Sequence, residues 1–280
     1  MLRRFIIPAA LLLGALPGAA GELVLPVFAY NVPGRHGDVW SSEIYLTNPG
    51  EQPVLVEIAR FLPGQVDRPA PCDQFMSPTR VVPPHSATVW TASGLATDLG
   101  CAATARGGLV LRADGPIHIS SRLVSFSASG EGGPSAVLSG RGESFEAIAL
   151  DALPAAGAHL LPALLWHRNP CDGPLFDTSI GFANPGPEPV TVVVDIPDEH
   201  GRAVNLDGDD VYFPVRLEIA PRSWQQLRLA PSREPGAGCG GIESFLARLE
   251  ISAPLAIYAS VIDRSSGDPR TVLPVPISGP

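Results

Sequence analysis

Asn184-Pro185-Gly186-Pro187-Glu188-Pro189-Val190-Thr191-Val192-Val193-Val194-Asp195-Ile196 reads as a turn that feeds a strand. Three prolines and a glycine in six residues forbid a helix there. The Val190, Val192, Val194, Ile196 row then alternates with Thr191, Val193 and Asp195, the period of a strand with one apolar face. The same text stands 136 residues earlier: Asn48-Pro49-Gly50, Pro53, then Val54, Val56 and Ile58 alternating with Leu55, Glu57 and Ala59.

The match extends outward in both directions. Leu25-Pro26 answers to Leu161-Pro162 and Trp40 to Phe176; Pro84 and Ser86 answer to Pro221 and Ser223 one residue further on. Cys101, Leu111, Pro116 and Ile119 answer to Cys239, Leu249, Pro254 and Ile257 one residue further still. An offset that creeps this slowly over about a hundred residues means two tandem copies of one unit with small loop insertions. Further rows of period two run through Trp40, Ser42, Ile44 and Leu46, through Phe176, Thr178, Ile180 and Phe182, and through Ile117 to Leu123 and Leu255 to Val261. About seven strands per copy, each with one buried face, predict two antiparallel sheets packed as a sandwich. Pro26 and Pro162 cannot donate to a ladder, which predicts an edge position for the first strand of each copy.

Composition agrees with an all-β chain. Its 280 residues include 31 prolines and 29 glycines, too many for long helices, and 45% hydrophobic residues, too many for disorder. All 19 basic residues are arginine, so chemistry that needs a lysine is excluded.

Residues 1–21 have the form of a secretory signal: Arg3 and Arg4, an apolar run from Phe5 to Leu16, then small residues to Gly21. The expected boundaries are 1–21 signal, 22–150 first sandwich, 151–158 linker and 159–280 second sandwich. Export by the general secretory route to the periplasm, cell surface or medium follows, with no membrane span in the mature form. Loss of Arg3 and Arg4 takes the formal net charge from −9 to −11, which does not suit nucleic acid.

The turns after strands two, four and six are short in both copies and the other connections are long, so antiparallel strands would gather the long loops at one end of each sandwich. Cys72 and Cys101 fall in such loops of copy one, Cys171 and Cys239 in those of copy two. In an exported chain this favours the disulfides Cys72 to Cys101 and Cys171 to Cys239, although four cysteines allow three connectivities and zinc is the alternative.

The turn and strand residues quoted first resemble the asparagine-turn-strand pattern of bacterial immunoglobulin-like and fibronectin-III-like sandwiches, and the chain looks like the tandem repeats of bacterial secreted proteins. That resemblance implies an architecture and a spacing, adhesive or binding role. It carries over no catalytic residue.

No catalytic motif appears. The six histidines form no close metal-binding pair, no G-x-S-x-G elbow occurs, and the serine- and glycine-rich stretch 125–139 reads as a flexible loop. The expected function is therefore a secreted non-catalytic module that binds a cell-surface or extracellular protein or polysaccharide through its long-loop ends. An extracellular hydrolase is the third reading.

Two clusters offer alternatives. Asp172, Asp198, Glu199, Asp207, Asp209 and Asp210, with Asn205, gather oxygen ligands of the kind calcium takes. Asp210 stands where an EF-hand needs its turn glycine and Arg216 where it needs its glutamate, so a solvated loop is preferred and no cofactor is expected. Trp166 and Trp224 answer to Asn31 and Ala87 in copy one. Freed from the core, an exposed pair could stack on sugar rings, which gives a carbohydrate-binding accessory protein as the second reading. Trp40 and Trp90 are expected in the core.

Overall fold

A computed structural model of the chain describes residues 19–33, 38–64, 71–73, 76–101, 104–127, 138–167, 176–196, 202–204, 210–229, 242–263 and 269–277. Residues 1–18, most of the segment expected to be a secretory signal, lie outside this set. The N-terminal half contains β1 (Ala19–Tyr30), β2 (Val32–Pro33), β3 (Asp38–Asn48), β4 (Val54–Pro63), β5 (Thr79–Val82), β6 (Ser86–Trp90), α1 (Ala92–Asp98), β7 (Ala105–Ser127), β8 (Leu138–Glu146) and β9 (Ile148–Ala149). After a 3-10 turn at Leu150–Ala152, the C-terminal half contains β10 (Gly157–His167), β11 (Phe176–Asn184), β12 (Val190–Asp195), β13 (Arg202–Val204), β14 (Asp210–Tyr212) and β15 (Val215–Ile219). It continues with β16 (Ser223–Leu229), β17 (Ile242–Ile251), β18 (Ala256–Asp263), β19 (Pro269–Val272) and β20 (Val275–Pro276).

The fold is all-β and its ladders are antiparallel. In the C-terminal half one sheet runs β15-β12-β17-β10-β20 and the other β14-β13-β16-β11-β18-β19. The N-terminal half repeats this order: β5-β4-β7-β1-β9 on one side and β6-β3-β7-β8 on the other. Strand β7 belongs to both because the expected turn at Asp114-Gly115-Pro116 does not break it. Its first part pairs with β1 and β4, its last part with β3 and β8. A Cβ on Gly115 would press on Val54 at 3.0 Å, so the strand passes close to the start of β4 as it moves from one side to the other.

The recurring asparagine explains the recurring sequence. Asn48 and Asn184 are each 1% exposed. The Asn48 amide donates to the carbonyls of Gln52 and Val82, and its Oδ1 accepts from the Gly50 amide. Asn184 does the same with Glu188, with Ile219 and Ala220, and with Gly186. The facing turn closes the link in both copies, through His85 to the Gly50 carbonyl and Arg222 to that of Gly186. Both residues have positive φ, 50° and 52°. One buried side chain thus ties two short turns together where neither has a ladder of its own.

Three expectations need correction. Pro26 and Pro162 do not make edges of their whole strands: β1 lies between β7 and β9 over Leu23 and Val24, and β10 between β17 and β20 over His159 and Leu160. The prolines occupy bulges instead, where the register slips between Leu25 and Phe28 and between Leu161 and Leu164, so no ladder bond is missed. The long connection after Trp90 is not bare loop but holds α1, capped by Thr91, whose Oγ1 accepts from the Gly94 amide. Finally, several strands bury both faces. In β1 residues 23–29 and in β18 residues 256–261 are buried without alternation.

The second buried face has a common cause. Each half has its own core, one around Leu25, Ile44, Ile58 and Leu111, the other around Ile180, Val192, Leu249 and Ile257. A third cluster joins Val24, Val27, Leu62 and Val110 of the first half to Ala183, Trp224, Ala256 and Tyr258 of the second. The outer face of β1, β4 and β7 packs on the outer face of β11, β16 and β18. Phe145 and Leu153 complete the junction, so the segment expected to be a linker is partly packed into it. Arg60 adds a hydrogen bond to the Pro185 carbonyl.

Candidate functional site

Two places in the described structure combine concavity with polar chemistry. The first is the long-loop end of the N-terminal half. Cys72 and Cys101 are joined in a disulfide, as expected, and draw the loop after β4 onto the segment after α1. Cys101 donates to the Ala96 carbonyl and Asp73 to that of Leu99, which fixes both strands of the crosslink. Beside it, Met76, Ser77, Pro78, Thr79, Arg80, Thr97 and Asp98 line an open groove of about 560 Å³. Trp90, buried as expected, organises its floor: the indole donates to Asp98 at 3.0 Å and the Arg80 guanidinium lies 5.0 Å above the ring, 3.5 Å from the same carboxylate. Arg80 is held by a face and an anion at once, and stays exposed.

The second is the junction. Alternation along β8 turns Glu143 and Phe145 inward and Ser144 and Glu146 outward. Glu143 is 3% exposed, and both its partners come from the other half. Ser260 on β18 donates to Oε2 at 2.6 Å; Thr271 on β19 reaches Oε1 at 2.8 Å and shares its one hydroxyl proton with the Ser144 carbonyl. Burial pushes the carboxyl up to about 7 against the pull of these two hydroxyls, and no cation among the described residues pairs with it. The Phe145 and Tyr258 rings meet edge to face at 5.1 Å, and burial, then the Glu143 charge, raises the Tyr258 phenol. A cavity of about 170 Å³ opens beside them, with Glu143, Phe145, Trp224 and Tyr258 among its lining and half-buried Trp40, Arg106 and Gln226 toward its rim.

No known protein family matches this chain, and no curated protein is similar to it.

Set against the sequence, the candidates divide. Trp224, expected to be exposed, is 4% exposed, because the outer face of β16 is covered by the N-terminal half. Its backbone even bridges to Gly64. Trp40, expected in the core, is only half-buried, since its row leaves the core before Ser42 and reaches the junction cavity. The side chain of Trp166 and the pair Cys171 and Cys239 lie outside the described residues. So do Asp172, Asp198, Glu199, Asn205, Asp207 and Asp209, and the side chain of Asp210, which begins β14. Among the described residues, β13 and β14, which flank residues 205–209, pair with each other. Among the described residues no three His, Cys, Asp or Glu side chains gather as a metal site, and no helix is long and apolar enough to cross a membrane.

Glu143, Ser260, Thr271 and Tyr258 have no counterpart in the sequence reading. The available signal was an excess of apolar residues at outward positions in one copy only, as in Tyr258 against Ser120 and Val110 against Arg248.

Proposed function

We propose that the chain is an exported, non-catalytic binding module of two tandem immunoglobulin-like sandwiches that engages a cell-surface or extracellular partner through its long-loop ends. The observation that carries this reading is the groove between Met76 and Asp98, stiffened by a disulfide, a capped helix and the Arg80-Trp90-Asp98 contact. Loops held this way lose little entropy on binding.

The immunoglobulin-like assignment draws support from two internal pairings. β4 beside β7 corresponds to strands C and F, and β3 beside β6 to strands B and E. The edges are exchanged: β1 joins the F-like segment and the end of β7 joins the B-like strand. A spacer role is disfavoured, because side-by-side packing of the halves shortens their reach. The carbohydrate reading loses Trp224 as a contact, since that ring is covered.

The test is retention of the mature, oxidised protein on insoluble polysaccharides, cell-wall material and surface-protein fractions. Retention should fall at least fivefold, by roughly 1 kcal/mol, in a Met76→Asp, Arg80→Ala variant that keeps its unfolding midpoint. Unchanged retention in that variant would move the contact surface elsewhere.

A further inference from the structure

The junction cavity buries an acid without a base. Buried carboxylates are ordinarily paired with a cation, yet among the described residues Glu143 is met by the hydroxyls of Ser260 and Thr271 alone. A carboxylate accepts about four hydrogen bonds, so half of its capacity is unused. Of the charged groups on the elements around it, Arg106 also lines the cavity but is half-buried and forms no ion pair with Glu143, and Arg228 on β16 is held by Asp177 at 2.6 Å. Arg122 on β7 and Arg270 on β19 are exposed, as is Glu146 on β8. None of them forms an ion pair with Glu143.

We propose that this cavity is a binding site for a small organic cation, with the Glu143 carboxylate as counter-ion and the rings of Trp40, Trp224 and Tyr258 as walls. Aromatic faces attract ammonium groups through their quadrupole, and desolvation strengthens that attraction. The size fits: a cavity of about 150 Å³ admits a six-carbon ring, and this one measures about 170 Å³. Half-buried Trp40 and Gln226 at the rim leave a way in. The cation would draw the proton from Glu143 as it enters, because the carboxyl of the unliganded protein titrates near neutrality. Binding and proton release are therefore one event. This reading is independent of the loop-end groove.

The experiment is calorimetry on the full mature chain with choline as the probe and its neutral carbon isostere, 3,3-dimethylbutan-1-ol, as the comparison. Choline should bind saturably at pH 8 and release a proton at pH 6.5, and should bind at least roughly tenfold more weakly at pH 5.5. The isostere should be at least roughly tenfold weaker than choline at pH 8. Glu143→Gln should abolish choline binding while keeping cooperative unfolding, and Trp40→Leu, at the rim, should weaken it severalfold. Equal binding of choline and isostere, full binding by Glu143→Gln, or no saturable choline binding at pH 8 would each overturn the assignment.

Discussion

Gly181 of β11 faces Tyr258 of β18 across the ladder, and a Cβ on Gly181 would run into the phenol ring. The missing side chain is the seat on which Tyr258 lies as it reaches the junction and meets Phe145. Gly181→Ala should therefore cost about 1 to 3 kcal/mol through overpacking. Gly186→Ala, whose new methyl would meet only the Asn184 oxygen at 3.2 Å, should cost less. Urea unfolding of the two variants decides it; equal midpoints would mean that Tyr258 can move aside freely.

Glu143 makes stability depend on pH in the direction opposite to most carboxylates. Its folded value, about 7, lies above the ordinary 4.5, so the folded state holds the proton more tightly. The stabilisation is complete below pH 4.5 and is lost as pH rises through 7, up to about 3 kcal/mol in all. Midpoints measured from pH 5 to 8 should fall in the wild type and stay flatter in Glu143→Gln. Parallel curves would show that Glu143 is ionised throughout.

Reduction of the disulfide should act locally and strongly. Cys72 and Cys101 close a loop spanning 29 residues, which on chain-entropy grounds stabilises by about 3 to 4 kcal/mol. Cys72→Ser, Cys101→Ser should lower the unfolding midpoint accordingly and expose the amides around α1 to hydrogen exchange first. Exchange spread evenly over both halves would contradict a local role.

Asn48 and Asn184 should be equivalent in energetic terms. Replacing either with Ala leaves buried carbonyls and a turn amide without partners, a loss of about 2 to 3 kcal/mol. Denaturant midpoints of the two single variants test this, and a loss confined to one of them would break the equivalence of the copies.

Much of this architecture is legible before any coordinates. The all-β character, the turns after Asn48 and Asn184, the core rows and the Cys72–Cys101 pair follow from period and punctuation, because those signals are local. The junction is not local. A period-two pattern scores one face of a strand, so the outward Val24, Val110 and Tyr258 read as ordinary surface residues. Trp224 opposite Ala87 looks the same in sequence whether it meets solvent or another sheet. Pro26 misleads because a bulge and an edge solve the same missing donor. Glu143 is one acid among 28 acidic residues, and only its neighbours from 117 and 128 positions away set it apart.

The seam between the halves joins two different surfaces, and such a head-to-tail contact would propagate into an open fibre if each half carried both of them. This chain carries each only once. Where the first copy offers Val110 to the seam, the second has exposed Arg248; where the second offers Trp224 and Ala183, the first has exposed Ala87 and Thr47. The pairing of the halves is thus encoded in a few outward side chains: Val110, Trp224 and Ala183 are buried in the seam, while their counterparts Arg248, Ala87 and Thr47 are exposed.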